Sequence, residues 1–140
     1  PTDASVLGDS IIDEIYYRLL SDERGGELRF LLQQRGDIQR ISTVVAHIHE
    51  NLDKPISVQE LADIVHMSRT AFYENFKEVM YMSPLQYVKS VRLHEAQKFL
   101  KEGKRVNEAS DMVGYSSPTQ FSNEYKRYFG YPPSATAVMA

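Results

Sequence analysis

The chain contains no cysteine, which removes disulfides, thiolate zinc sites, iron–sulfur clusters and cysteine nucleophiles together and suits a reducing compartment. No apolar run approaches the ~20 residues of a membrane-spanning helix, so no membrane partner is expected. There is no basic-then-apolar signal at the start, and the first residue is Pro rather than Met, so the chain reads as a piece of something longer. A basic excess is missing too: 16 Lys and Arg stand against 19 Asp and Glu, a formal charge of −3. Taken alone, that figure opposes a nucleic-acid partner. At 140 residues the chain can still bury roughly two-thirds of its unfolded surface, so a core needs no covalent staple.

Catalytic patterns are equally scarce. No Gly-rich phosphate loop and no nucleophile paired with a base is evident, and Asp13-Glu14 reads as a solvated turn rather than an acid/base pair. His47 and His49, two apart, point to different helix faces, and His66 and His94 have no ligand pattern around them. The expectation is a protein that is not an enzyme and holds neither metal nor cofactor.

What the chain does have is helical periodicity. Ile11, Ile12, Ile15, Tyr16, Leu19 and Leu20 form a narrow apolar stripe that Asp9 or Ser10 can cap, and Leu28, Leu31 and Leu32 form a second after Gly25-Gly26. Gly36-Asp37 reads as a boundary. Ile38, Ile41, Val45, Ile48 and Leu52 then mark a helix of about four turns with one buried face, closed by Asp53-Lys54-Pro55.

From Ser57 onward the helices are short and each has a capping residue in front. Ser57 and Glu60 form a capping-box pattern ahead of Leu61, Ala62 and Val65, and Ser68 precedes Phe72, Phe76 and Val79. Ser83-Pro84 opens a longer helix with Leu85, Val88, Val91 or Arg92, Ala96, Phe99 and Leu100 expected inward and Gly103 as its stop. A short helix near 106–113, a tight turn at Gly114 and a last helix opening with Ser117-Pro118 complete the chain. Nothing alternates like a strand for long. The fold class expected is all-α.

The internal repeat is the most informative feature. Residues 61–84 lie over 109–133 with Val65 on Val113, His66 on Gly114, Met67 on Tyr115, Phe72 on Phe121, Phe76-Lys77 on Tyr125-Lys126 and Pro84 on Pro133, after one inserted residue in the second copy. Two copies about 49 residues apart are two helix-turn-helix units. Such a unit needs a sharp turn, often through φ > 0, which Gly114 supplies at no steric cost and His66 supplies less readily. Ala62 and Ser110 are the small residues where the paired helices touch. Phe72 and Phe76, or Phe121 and Tyr125, anchor the second helix of each unit.

The opposite faces carry the candidate binding residues. Arg69, Thr70, Tyr73 and Glu74 on one helix, with Pro118, Thr119, Gln120 and Asn123 on the other, are placed to meet base edges, where Gln, Asn or Arg can form paired hydrogen bonds. The helix starts behind Ser68 and Ser117 suit phosphate oxygens, and Lys77, Lys126 and Arg127 are candidates for holding the DNA backbone. Arg92 either braces the two units or touches phosphate. Lys98, Lys101, Lys104 and Arg105 read as a solvated face. Charge counted by segment changes the first impression: residues 1–36 hold four Arg against seven acids, the remainder is neutral, and 66–128 hold ten bases against seven acids.

In these residues the sequence resembles the DNA-binding domain of the AraC/XylS family of bacterial transcription regulators. The resemblance runs over about 38–133 through "LADIVHMS", "FKEVMYMSPLQYVKSVRLHEAQKFL" and "VGYSSPTQFSNEYKRYFGYPP". Residues 11–32 further resemble the last helices of the N-terminal effector or dimerisation domain of one branch. The expected organisation is therefore a helical remnant at 1–36 and a DNA-binding domain at 37–140. Within that domain the first helix-turn-helix spans about 57–79, the connecting helix about 84–102 and the second helix-turn-helix about 106–128.

The resemblance implies two recognition helices entering successive major-groove segments, with base-reading positions at Thr70, Tyr73 and Glu74 and at Pro118, Thr119 and Asn123. The family often has Arg or another donor where Glu74 and Asn123 stand, and Ala135-Thr136-Ala137 lacks its aromatic–Arg pair. It also implies double-stranded promoter DNA as partner, RNA polymerase as a further one, a small-molecule effector only on the missing N-terminal domain, and a cytoplasmic, nucleoid-associated location. The alternative is a helical protein-interaction module in which Tyr73, Tyr81 or Tyr87 faces a partner and DNA contact is weak or lost.

Overall fold

In the computed structural model residues 25–139 are described, and every regular element among them is helical. The apolar stripe at 11–20 lies outside the described residues. The elements are α1 (Gly25–Glu50), α2 (Val58–Ile64), α3 (Arg69–Met80), α4 (Pro84–Lys101), α5 (Val106–Met112), α6 (Pro118–Phe129), a 3-10 turn (Pro133–Ala135) and α7 (Thr136–Met139). The chain divides into two units between Arg40 and Ile41, within α1.

Three sequence expectations for α1 are corrected. Gly36-Asp37 ends no helix: glycine keeps helical dihedrals at a cost of about 1 kcal/mol, and Asp37 pairs with Arg40 one turn on. Of Leu28, Leu31 and Leu32, only Leu28 is buried, and Leu31 lies 55% exposed. Farther along, Ile41, Val44 and Ile48 are buried, while Ile38 is 54% exposed and Val45 only partly covered. Spacings 41-44-48 and 41-45-48 both fit a 3.6-residue period, so the tertiary core decides between Val44 and Val45.

Two cores organise residues 41–139. The first gathers Ile41, Val44 and Ile48 of α1, Leu61 and Ala62 of α2, Phe72 and Phe76 of α3, and Val88 of α4. The second gathers Leu93, Ala96 and Leu100 of α4 with Ala109, Val113, Phe121 and Tyr125. Each fully buried ring contributes about 2–3 kcal/mol by leaving water. Because α4 serves both cores, its inward face is not one stripe. Leu93 is fully buried, and Leu85, expected inward, is 49% exposed. The last turn is fastened by Tyr125, whose hydroxyl meets Thr136 Oγ1 at 2.6 Å with both residues buried.

Helix starts follow the caps. Ser57, Ser68, Ser83 and Ser117 each accept an amide of the first turn through Oγ, at 3.1 to 3.2 Å. The reciprocal bond forms at Ser83, whose amide donates to Gln86 Oε1 at 3.0 Å. At Ser57 the capping-box pattern yields the serine bond without the return bond from Glu60.

The repeat is visible in the backbone itself. Met67 N–H donates to Ala62 carbonyl at 3.0 Å, and Tyr115 N–H to Ser110 carbonyl at 3.0 Å. Between them the chain passes through the left-handed region at His66 (φ 57°) and Gly114 (φ 88°). α3 and α6 end alike: Tyr81 (φ 60°) donates to Lys77 and Gly130 (φ 86°) to Lys126. The second copy thus has glycine at both left-handed positions, whereas the first carries side chains there. Pro84 and Pro133 are buried in matching places.

The turn at Gly114 presses against the chain that leaves α1. A Cβ on Gly114 would stand 2.4 Å from the Leu52 carbonyl oxygen, a backbone atom held in turn by Arg92, whose Nε donates to it at 3.2 Å. Gly114→Ala is expected to lower stability by ~2 kcal/mol or more, through both the clash and the positive φ. A thermal melt showing no change would contradict the close approach. The second copy also has Ser110 Oγ buried without a hydrogen-bond partner, where the first has Ala62. Ser110→Ala should therefore raise stability by about 1 kcal/mol in denaturant unfolding, since it removes an unpaired hydroxyl rather than a bond.

Candidate nucleic-acid interface

α3 and α6 are built to the same plan. Each is a 12-residue helix started by a serine cap and stopped by a left-handed residue. Phe72 and Phe76 fix the inner face of α3, Phe121 and Tyr125 that of α6, and all four are fully buried. What remains outside is then determined by the 3.6-residue period. Ser68, Arg69, Thr70, Tyr73, Glu74 and Lys77 are exposed on α3 and its cap. Pro118, Thr119, Gln120, Asn123, Lys126 and Arg127 are exposed on α6, with Ser117 half-buried at its cap. Each helix brings its own candidates together along one solvent face.

Chemistry is distributed unevenly along those faces. At the start of α3 the Arg69 and Thr70 amides have no partner within the helix, and Ser68 Oγ already accepts from Ala71. At the start of α6 Pro118 removes one such amide, leaving that of Thr119. Both caps therefore offer phosphate a hydroxyl proton and backbone donors. Lys77, Lys126 and Arg127 sit in the last turns, where they also complement the helix dipole.

Beside α3 lies an open groove lined by Ile56, Val58, Arg69, Thr70, Tyr73 and Leu85. A cleft lined by Leu85, Lys89, Arg92, Tyr115, Gln120 and Glu124 joins α4 to α6. Arg92, for which bracing and phosphate contact were both open, is a brace: Nε and Nη2 donate to the Leu52 and Lys54 carbonyls at 3.2 and 2.7 Å. Burial lowers its pKa, opposed by Tyr115 and Glu124 nearby.

The same cleft holds a network that sequence reasoning missed. Glu124 accepts from the Tyr115 hydroxyl at 2.5 Å, lies 3.2 Å from Lys89 Nζ and accepts from Gln120 Nε2 at 3.4 Å. Burial pushes the Glu124 carboxyl up, but bonds from Tyr115, Gln120 and Lys89 outweigh it and hold its pKa below the usual value. Tyr115 moves strongly upward, first through burial and then through its bond to Glu124. The spacing of Gln120 and Glu124, four apart on a helix, was the available signal. Lys89 and Tyr115 come from other segments and left none. Among the described residues no group of three or more His, Asp or Glu could hold a metal ion, and no helix is long and apolar enough to cross a membrane.

Comparison with known proteins places this arrangement in context. A family profile described as a helix-turn-helix domain matches residues 61–138. The transcriptional regulator GbdR of Pseudomonas aeruginosa is 30% identical over 129 residues, which is 91% of this chain and 35% of GbdR. The chain spans about a third to somewhat over half the length of the curated relatives it matches. Among solved structures, a transcriptional regulator from Chromobacterium violaceum with an AraC-type DNA-binding domain superposes with a TM-score of 0.68 at 25% identity, over 74% of this chain and 93% of that one. The DNA-binding domain of AdpA, a global transcriptional factor solved with a target DNA, gives 0.66 at 30% identity, over 69% and 88%.

The Glu124 network gives a pH dependence of definite sign. A carboxylate whose folded pKa lies below its unfolded value stabilises the fold fully above the unfolded pKa, and loses that contribution as pH falls through the folded one. Wild-type protein and Glu124→Gln should therefore differ most in melting temperature at neutral pH and converge as pH falls below the usual carboxylate range. A gap that stays constant or widens on acidification would refute the assignment.

Proposed function

Because the chain belongs to the AraC-type helix-turn-helix family, we propose that residues 37–140 are the sequence-specific DNA-binding part of a bacterial transcription regulator. α3 and α6 enter successive major-groove segments of promoter DNA, which lie about 34–36 Å apart along the duplex. The observation that carries this reading is the duplicated unit. Two recognition helices, each with a packed aromatic face, a serine cap and a polar outer face, share one connecting helix. AdpA, of the same fold and solved on a target DNA, supports the reading.

The roles divide by position. First-turn and mid-helix side chains (Arg69, Thr70, Tyr73 and Glu74, then Pro118, Thr119, Gln120 and Asn123) face the bases. Lys77, Lys126 and Arg127, with the cap regions at Ser68 and Ser117, hold phosphates. Residues 1–36 belong with an effector or dimerisation domain, and RNA polymerase is a further partner. Glu74 on the reading face is matched to cytosine N4 and disfavours phosphate.

Sites selected from a random DNA pool, followed by anisotropy titrations across salt, test the proposal. Lys77→Ala and Lys126→Ala are each expected to weaken binding to all sequences alike and to reduce the salt slope by about one. Equal affinity for every duplex would defeat sequence specificity. Absence of binding at low salt would defeat DNA recognition itself.

A further inference from the structure

The pattern Ser-Pro-X-Gln occurs twice, as Ser83-Pro84-Leu85-Gln86 opening α4 and Ser117-Pro118-Thr119-Gln120 opening α6. In both, the serine Oγ accepts the glutamine amide at 3.2 Å. Beyond that bond the two diverge. Gln86 curls back and its Oε1 accepts the Ser83 amide at 3.0 Å, which closes the box its sequence encodes. Gln120 turns the other way, and its Nε2 donates to Glu124 Oε1 at 3.4 Å. The residue four beyond Gln86 is Ser90, whose hydroxyl is engaged with Tyr128 at 3.0 Å and presents no carboxylate. The same local sequence thus takes two conformations, and the residue at the fourth position distinguishes them.

Glu124 is itself held in place. Lys89 Nζ lies 3.2 Å from the oxygen that Gln120 uses, Tyr115 donates to the other at 2.5 Å, and the side chain is only 14% exposed. An ionised carboxylate can only accept, so it dictates which end of the Gln120 amide faces it. The nitrogen goes to Glu124. The amide oxygen and the second N–H are left for solvent on an exposed helix face. One acceptor beside one donor is the complement of adenine, whose N6 donates and N7 accepts, whereas guanine offers two acceptors there.

We propose that Glu124 is a positioning residue that withdraws Gln120 from the capping role its local sequence specifies and presents it to DNA as an adenine reader. The proposal rests on the DNA-binding reading above, and its test separates the two. Wild type, Gln120→Ala, Glu124→Ala, the double variant and Gln86→Ala are titrated against a selected site and against versions with each base pair replaced in turn. Wild type should prefer adenine at one position by about tenfold or more. Gln120→Ala and Glu124→Ala should each abolish that preference, and the double variant should lose no more than either. In Glu124→Ala the Ser117 amide should exchange more slowly, as Gln120 closes its box.

Gln86→Ala should lower the melting temperature yet keep the preference, which a purely structural role for capping glutamines would not separate. Gln120 is exposed, so Gln120→Ala keeps the test decisive even where Glu124→Ala fails to fold. Full retention of the preference in either variant overturns the proposal and leaves DNA recognition intact. Wild-type protein that binds all duplexes equally overturns both.

Discussion

The geometry of residues 41–139 turns on one carbonyl. Leu52 O, just past the end of α1, accepts Arg92 Nε from the middle of α4 and faces the bare Cα of Gly114 in the second helix-turn-helix. Arg92 adds a 2.7 Å bond to the Lys54 carbonyl, so a planar guanidinium spans two loop carbonyls two residues apart. Three separate parts of the chain therefore meet within hydrogen-bond distance at a point between the two cores. Hydrophobic contact alone is tolerant of sliding. A two-pronged donor locked against a glycine is not, and it fixes the angle at which α4 carries the second unit.

That constraint explains the asymmetry between the copies. The second turn must be glycine because a backbone oxygen occupies the place of its Cβ. The first turn meets no such neighbour and tolerates His66 at positive φ, at a cost of about 1–2 kcal/mol. Tyr81 repeats this trade at the end of α3, opposite Gly130 at the end of α6. Its ring is 90% exposed, so packing does not repay the conformation. The first unit therefore carries more local strain than the second, although both have the same hydrogen-bonded turn.

What could be read from the amino acids alone follows the range of the physics. Serine caps, the repeat, the αL turn at Gly114 and the aromatic anchors depend on neighbours within a few residues, and each stands where its spacing indicates. Val44 against Val45, or Leu93 against Leu85, depends on which distant surface the helix meets, and α4 meets two. Gly36-Asp37 misleads because glycine permits a break without requiring one. The Ser57 box stays half-formed and the Ser83 box closes, a difference that the spacing of serine and Glu or Gln does not by itself carry. Thr136, in a tail that lacks the family's aromatic–Arg pair, is tied by a single bond to Tyr125 that no local pattern announces.

Charge ties these points to the proposed function. The overall −3 comes from residues 1–36, while residues 66–128, most of whose basic excess lies on and after the connecting helix, hold ten bases against seven acids. So small an excess supplies little of the sequence-independent attraction that usually dominates DNA affinity. Acidic groups near the reading faces would erode it further unless neutralised. Glu124 is neutralised in the fold itself, since Lys89 and two side-chain donors surround its carboxylate. On the proposed reading, a weak nonspecific field and an internally compensated acid shift the burden of binding onto the base contacts assigned to α3 and α6. For such a protein, orientation of one glutamine weighs more in choosing a site than it would on a strongly basic scaffold.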